Sequence, residues 1–279
     1  MIYLVFTIFS IFVHYSTQNS SYASSVSLTS HQQVLNKQDL WLHGKQVYEQ
    51  NCMGCHGKDG DGKGPAAIML DPKPRNFKSG IFKFKSTSWE ALPTDMDLLK
   101  TITQGLYGTS MPAFNLLPEV SRMGVIEYIK SFAPEVWNKS ENIQAPLAMN
   151  YINNKDFETH TAFIEKAKRG RKIYVENCHI CHGSKGKGDG EGSVGLEDEW
   201  GFPIKPADLT RLRIKTGASV NDILKVVLVG IPGTPMPSFK ETFSSQDASD
   251  VAAFVLYLRG LNANMYEKNP IEPITDNAN

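Results

Sequence analysis

Residues 44–57 of this chain read GKQVYEQNCMGCHG, and residues 170–183 read GRKIYVENCHICHG. The second stretch follows the first by 126 residues, and both end in Cys-x-x-Cys-His-Gly. Farther along, residues 105–114 read GLYGTSMPAF and residues 230–239 read GIPGTPMPSF, at a spacing of 125 residues. Matches that keep their order at a nearly constant distance indicate a tandem duplication, so the 279-residue chain contains two copies of one structural unit.

Each copy is predicted to be all-α. Apolar residues at helical spacing (Trp41, Val47 and Tyr48 in the first copy) lead into the cysteine motif, and a Gly-rich loop ends this helix. A second helix is predicted before each Met-Pro pair, over 96–103 and 220–229, and a last helix closes each copy, over 120–132 and 246–261. No stretch alternates polar and apolar residues long enough to predict a sheet.

The N-terminal residues predict export. Residues 1–13 are almost wholly apolar, and Ser21-Tyr22-Ala23 suits signal peptidase. This run is shorter than the roughly 20 residues that span a bilayer, which favours a cleaved signal peptide. Because the first Lys or Arg is Lys37, an uncleaved anchor that contacts the membrane through residues 1–15 stays an alternative. Both readings predict the periplasm or another extracytoplasmic compartment.

Composition limits the remaining possibilities. The chain is 41% hydrophobic and 21% charged, as in ordinary globular proteins, and its 29 basic residues balance 29 acidic ones. No overall positive field attracts nucleic acid, which is therefore not expected as a partner. The predicted organisation is a signal peptide (1–23), an N-terminal extension (24–40), a first domain (41–150) with a linker from Pro134 to His160, a second domain (151–264) and a polar tail (265–279).

The cysteine motif carries the cofactor prediction. Cys-x-x-Cys followed directly by His is the pattern of covalent haem attachment, in which two thiols add to the vinyl groups and the imidazole binds the iron. A disulfide between Cys52 and Cys55 would use the same residues, as would a zinc site built from all four cysteines. Neither explains why His follows in both copies. The sequence therefore predicts two haems c: one on Cys52, Cys55 and His56, the other on Cys178, Cys181 and His182.

The motif, the Gly-rich loop, the Met-Pro segment and the final helix together resemble the class I cytochrome c family, here as a tandem dihaem form covering about 41–133 and 165–262. The resemblance implies two cytochrome c domains, each a few helices wrapped around one haem. It also implies that Met111 and Met236, which follow His56 by 55 residues and His182 by 54, are the distal iron ligands.

Three further residues are weaker candidates for the haem propionates. The resemblance places Arg75 in a segment that reaches these carboxylates in the family, where an arginine could form a charge-assisted pair. Trp89 and Trp200 could each donate an indole N–H to a propionate. A solvated arginine and two packed tryptophans are the alternative reading. Trp200 belongs to an insertion of about six residues that the first copy lacks, which could make the two reduction potentials differ.

A His and Met ligand pair predicts electron transfer. The thioether raises the reduction potential, and two filled axial positions leave no open site for catalysis. We therefore expect a dihaem cytochrome that is not itself an enzyme and that passes single electrons between respiratory donor and acceptor proteins. It would act as a carrier or as a subunit of an oxidoreductase complex, which could be a membrane respiratory complex. A dihaem enzyme, such as a cytochrome c peroxidase or a thiosulfate dehydrogenase-like protein, is the alternative.

Overall fold

The computed structural model describes residues 36–148 and 159–260. The predicted signal peptide, the predicted tail and the middle of the predicted linker lie outside these residues, so the domain limits stay predictions. The described residues hold no helix long and apolar enough to cross a membrane. The helices in chain order are α1 (Lys37–Asn51), α2 (Met53–His56), α3 (Asp95–Gln104), α4 (Glu119–Lys130), α5 (Pro134–Trp137), α6 (His160–Asn177), α7 (His179–His182), α8 (Val220–Val229) and α9 (Ser245–Leu258).

The predicted all-α class is confirmed. Within the described ranges, β-pairing is limited to two isolated bridges. The helices before the Met-Pro pairs, α3 and α8, fall within one residue of the prediction, and each begins with a capping box, Thr94 with Asp97 and Ser219 with Asp222. In such a box, a hydroxyl and a carboxylate each accept a backbone N–H that the first turn leaves unpaired. Helix α1 begins at Lys37, four residues before Trp41 and inside the predicted extension.

The first and last helices of each repeat cross at very close range. A Cβ atom placed on Gly44 of α1 would lie 1.8 Å from the carbonyl oxygen of Gly124 in α4. In the second repeat, a Cβ on Gly170 of α6 would lie 1.9 Å from the carbonyl oxygen of Asp250 in α9. Only glycine leaves room for backbones this close, and the crossing fixes the end of each helix that leads into the cysteine motif.

A buried tyrosine connects each crossing to the start of the Gly-rich loop. Tyr48 and Tyr174 are fully buried, and their hydroxyls donate to the carbonyl oxygens of Gly57 and Gly183, both at 2.7 Å. A buried hydroxyl without a partner would cost about 1–3 kcal/mol, so these bonds hold the loop against the helix. The core of the first repeat continues around Tyr48 through Phe77, Tyr128 and Phe132.

The predicted linker is partly folded, which corrects the sequence reading. Helix α5 lies at its start, and Trp137 is buried in the core of the first repeat. The backbone then continues along this repeat, because Leu92 N donates to Asn142 O at 2.8 Å and Leu147 N donates to Ser86 O at 2.7 Å. A short helix of four residues with one buried tryptophan is too brief to give a periodic pattern, so it was missed.

Candidate haem sites

Each cysteine motif forms one short helical turn. In α2, the backbone N–H groups of Cys55 and His56 donate to Cys52 O at 3.1 and 2.9 Å, and α7 repeats this arrangement from Cys178 at 3.3 and 2.9 Å. The turns end at Gly57 and Gly183, whose φ angles of 83° and 77° favour glycine. One turn therefore holds two thiols and the following imidazole together, as attachment to one porphyrin requires.

The four cysteines all lie in the described residues, and none of them forms a disulfide. Within these residues there is no group of three or more Cys, His, Asp or Glu side chains that could hold a metal ion, so the two cysteine pairs belong to separate sites. Burial raises the pKa of Cys52 and of Cys178 to about 12. Thiols with a pKa this high stay protonated near pH 7.

The imidazoles are oriented by backbone carbonyl groups. His56 Nδ1 lies 3.0 Å from Arg75 O, and His182 Nδ1 lies 3.1 Å from Ala207 O. Because a carbonyl oxygen only accepts, Nδ1 carries the proton and Nε2 keeps its lone pair for a metal. Burial also lowers the pKa of both histidines, which keeps the rings neutral near pH 7. Both residues therefore suit the predicted role of proximal iron ligand.

The two methionine loops fold in the same way. Leu106 N donates to Met111 O at 3.0 Å, and Met111 N donates to Thr109 Oγ1 at 3.1 Å. The second repeat repeats both bonds, from Ile231 N to Met236 O at 3.0 Å and from Met236 N to Thr234 Oγ1 at 3.2 Å. These bonds fix the backbone of both methionines relative to the end of the preceding helix.

One cavity brings the predicted ligands of the first haem together. Cys52, Cys55, His56 and Met111 line the same cleft, which encloses about 1320 Å³ including its open mouth. Most of the wall is apolar and comes from the core, and it includes Phe77, Phe82, Leu98, Ile102, Val125 and Ile129. The residues that are present therefore fit a haem.

The three candidate propionate contacts lie in different surroundings. Arg75 lines the first cavity, whereas Trp89 and Trp200 are not among its lining residues. The guanidinium of Arg75 instead stacks on the Trp200 ring at 4.2 Å. Burial lowers the pKa of Arg75 to about 10, while Asp198 and Glu199 act in the opposite direction. Trp89 packs on the second repeat, where a Cβ on Gly230 would lie 2.6 Å from its Cζ3.

Sequence reasoning missed three lysines of the first cavity, Lys73, Lys83 and Lys215. Lys83 pairs with the buried Asp198 of the second repeat at 3.1 Å, and Lys215 itself comes from that repeat. Nothing in their local sequence indicates a haem contact. Lys215 reaches the cavity because the two repeats pack together in one compact unit.

Comparisons with known proteins agree with this architecture. A family model described as cytochrome c oxidase, cbb3-type, subunit III matches residues 39–129 and again residues 165–255. Two relatives, from Azospirillum brasilense and Azospirillum sp. strain B510, are both cbb3-type cytochrome c oxidase subunits CcoP. They are 22% identical to this chain over 253 and 258 residues, which is 86% of this chain and 70% or 71% of the relatives.

A solved structure is also similar. A chain of the Kuenenia stuttgartiensis reducing HAO-like protein complex Kustc0457/Kustc0458 is 36% identical, with a TM-score of 0.71 over 77% of this chain and 95% of that chain. The doubled family match and the repeated motif confirm two tandem cytochrome c domains, each with one covalent haem c. The chain is a dihaem cytochrome that transfers electrons.

Proposed function

We propose, because this chain belongs to the family of cytochrome c oxidase, cbb3-type, subunit III, that it passes single electrons through two haems whose irons are both bound by His and Met. The ligand pairs are His56 with Met111 and His182 with Met236. The observation that carries the proposal is the shared apolar cavity, in which His56 and Met111 meet although 55 residues separate them in the sequence.

The chain's own residues tune the sites. When bound, each haem supplies one-electron chemistry at its iron. Arg75 O and Ala207 O accept the Nδ1 protons of His56 and His182, which orients both rings and makes them more basic ligands. The thioethers of Met111 and Met236 would hold the irons and would raise their reduction potentials, and the apolar wall of the first cavity would exclude water there. With one histidine and one methionine on each iron, no position would stay open for a substrate, so bond-breaking catalysis is not expected.

Spectroscopy of paired variants tests the ligands. Met111→Ala and Met236→Ala should each remove the thioether-to-iron charge-transfer band of one haem and lower the potential of that haem. A chain with Cys55→Ala should carry about one covalent haem instead of two. If absorption and both potentials stay unchanged in the methionine variants, the ligand assignment is wrong. A high-spin ferric haem in the wild type, or rapid turnover of peroxide, would favour the dihaem enzyme instead.

The same premise supports an extracytoplasmic subunit of a larger complex. The relatives are named as subunits of an oxidase, and the similar solved chain belongs to a complex. In the first Gly-rich loop, the cations Lys58 and Lys63 are interleaved with Asp59 and Asp61, which does not give a simple basic docking surface for a diffusing carrier. Co-purification from native membranes should yield a fixed redox partner. N-terminal sequencing of the mature protein should find cleavage after Ala23, whereas an intact N-terminus would indicate an anchor.

A further inference from the structure

The insertion around Trp200 touches both haem sites. Its ring stacks on the guanidinium of Arg75, at 4.2 Å, in the wall of the first cavity. On another side the ring lies against Gly233, because a Cβ there would be 3.0 Å from Cη2 of Trp200. The neighbouring Glu199 N also donates to Gly233 O at 3.1 Å. Trp200 therefore contacts Arg75 of the first repeat and Gly233 of the second, and each of these residues belongs to the surroundings of a predicted axial ligand.

The contacts on both sides of Trp200 lead directly to predicted iron ligands. On the first side, Arg75 O accepts the Nδ1 proton of His56. On the second side, Gly233 precedes Thr234, whose hydroxyl accepts the backbone N–H of Met236 at 3.2 Å. The sequence of contacts is thus His56, Arg75, Trp200, Gly233 and the Met236 loop. We call this series the Trp200 bridge.

Buried polar contacts of Asp198 hold the insertion in place. Asp198 is buried and accepts from the backbone of Trp200 at 3.2 Å and of Phe202 at 3.1 Å through one carboxylate oxygen. Its other oxygen pairs with Lys83 of the first repeat at 3.1 Å. A single buried carboxylate thus fixes the turn of the insertion and attaches it to the first repeat. The ring of Trp200 cannot move far without breaking contacts on both sides.

We propose that Trp200 is a positioning residue that couples the two haem sites, so that the geometry of the Met236 loop and the orientation of His56 depend on each other. This inference rests on the proposed ligand pairs. The hydrogen bond to a ligating imidazole and the position of the axial methionine both tune the reduction potential of an iron. A residue packed against both supports is therefore expected to influence both potentials, and such coupling is reciprocal.

Redox titrations of the purified full chain test the coupling. Trp200→Leu should shift both midpoint potentials, and Trp200→Phe, which keeps a ring, should restore them in part. The two potentials are assigned to their haems with Met111→His and Met236→His, which each lower one of them. Phe202→Leu is the matched control, since Phe202 lies in the same insertion but is exposed, and it should shift neither potential. Trp89→Leu should shift only the second, because Trp89 packs on Gly230 of that repeat.

A double-variant comparison separates coupling from general loosening. Thr234→Ala removes the acceptor of Met236 N without changing any charge, and it should shift the first haem's potential in the wild type but not in the Trp200→Leu background. Equal shifts in both backgrounds, or a Trp200→Leu variant that alters only one potential, would overturn the coupling. Loss of the ligand assignment would instead appear as a missing charge-transfer band in the wild type.

Discussion

The two repeats build the same ligand loops and differ in where each carries extra residues. One stretch runs from the cysteine motif to the proline that precedes the residue whose carbonyl oxygen accepts from the proximal histidine. In repeat two this stretch is six residues longer, and it contains Asp198 and Trp200. The next stretch runs from this proline to the capping box that begins α3 or α8. In repeat one it is seven residues longer, and it contains Lys83 and Trp89. These residues contact the opposite repeat. Both repeats thus build a haem site, and the segments in which they differ in length supply several of the contacts between the repeats.

The helix crossing brings two backbones into close contact in both repeats, so changes there should have the largest effect. Gly44→Ala and Gly170→Ala would each force a Cβ into a backbone carbonyl of the partner helix. We expect each substitution to lower the free energy of unfolding by about 3 kcal/mol or more, because the repeat that carries it loses its helix packing. Denaturant unfolding followed by haem absorption measures this. Gly54→Ala is the control, because a Cβ there meets no atom within 4 Å, and an equal loss in that variant would contradict the argument.

Repeat one contains a buried lysine with an unusual pH dependence. Lys85 Nζ donates to Trp89 O and Ala91 O, and burial lowers the pKa of Lys85 from 10.5 to about 8. Between these values the unfolded chain binds the proton and the folded chain does not, so stability rises with pH. Compared with Lys85→Met, the wild type should gain up to about 3 kcal/mol from pH 8 to pH 10.5. A difference between the two proteins that does not change with pH would refute the lowered pKa.

The position before each crossing glycine differs between the repeats. Arg169 forms two hydrogen bonds with the buried carboxylate of Asp250, at 2.6 and 2.9 Å, whereas the equivalent His43 forms one bond with Ser121 Oγ at 2.8 Å. Arg169→Ala should cost about 1.5–3 kcal/mol because it leaves a buried charge with less support, and His43→Ala about 1 kcal/mol. Thermal unfolding of the two variants checks the order. A larger loss for His43→Ala would contradict this interpretation.

Substitution of the residue that packs against the proximal histidine should have the smallest effect. Phe77 stacks on His56 with ring centroids 4.6 Å apart, and Leu209 takes its place in repeat two. Phe77→Leu makes the first site resemble the second and should cost about 1 kcal/mol through the lost ring contact. The midpoint potential of the first haem should move while the second stays constant. Movement of the second potential alone would show that the stacking does not act on His56.

Much of the fold was predictable because its signals are local. Apolar periodicity predicted α3 and α8 to within one residue, and the structure shows a capping box at the start of each, at Thr94 and at Ser219. The Cys-x-x-Cys-His spacing predicted the cofactor, since thiols and imidazole must share one helical turn. Helix α5 was missed because it is short and is held by the burial of Trp137 in a core made elsewhere in the chain.

The roles of the side chains around the haems were less predictable. Arg75 was expected beside a propionate, and it does line the first cavity, but its stacking partner Trp200 lies 125 residues away. The sequence alone left two roles open for Trp89 and Trp200, packing and the binding of a propionate. Their contacts with Gly230 and Gly233 depend on how two homologous domains meet, and no periodic pattern encodes that.

The sequence by itself determined that two haems are attached, which residues attach them, and that the chain repeats one helical unit, because these features are set by spacing within a turn or a loop. The tertiary structure decided that His56 and Met111 share a cavity, that Lys215 of the second repeat reaches the first haem site, and that Trp200 contacts the surroundings of both haems. These contacts join residues far apart in the chain, and packing energy between surfaces selects them after the local elements have formed.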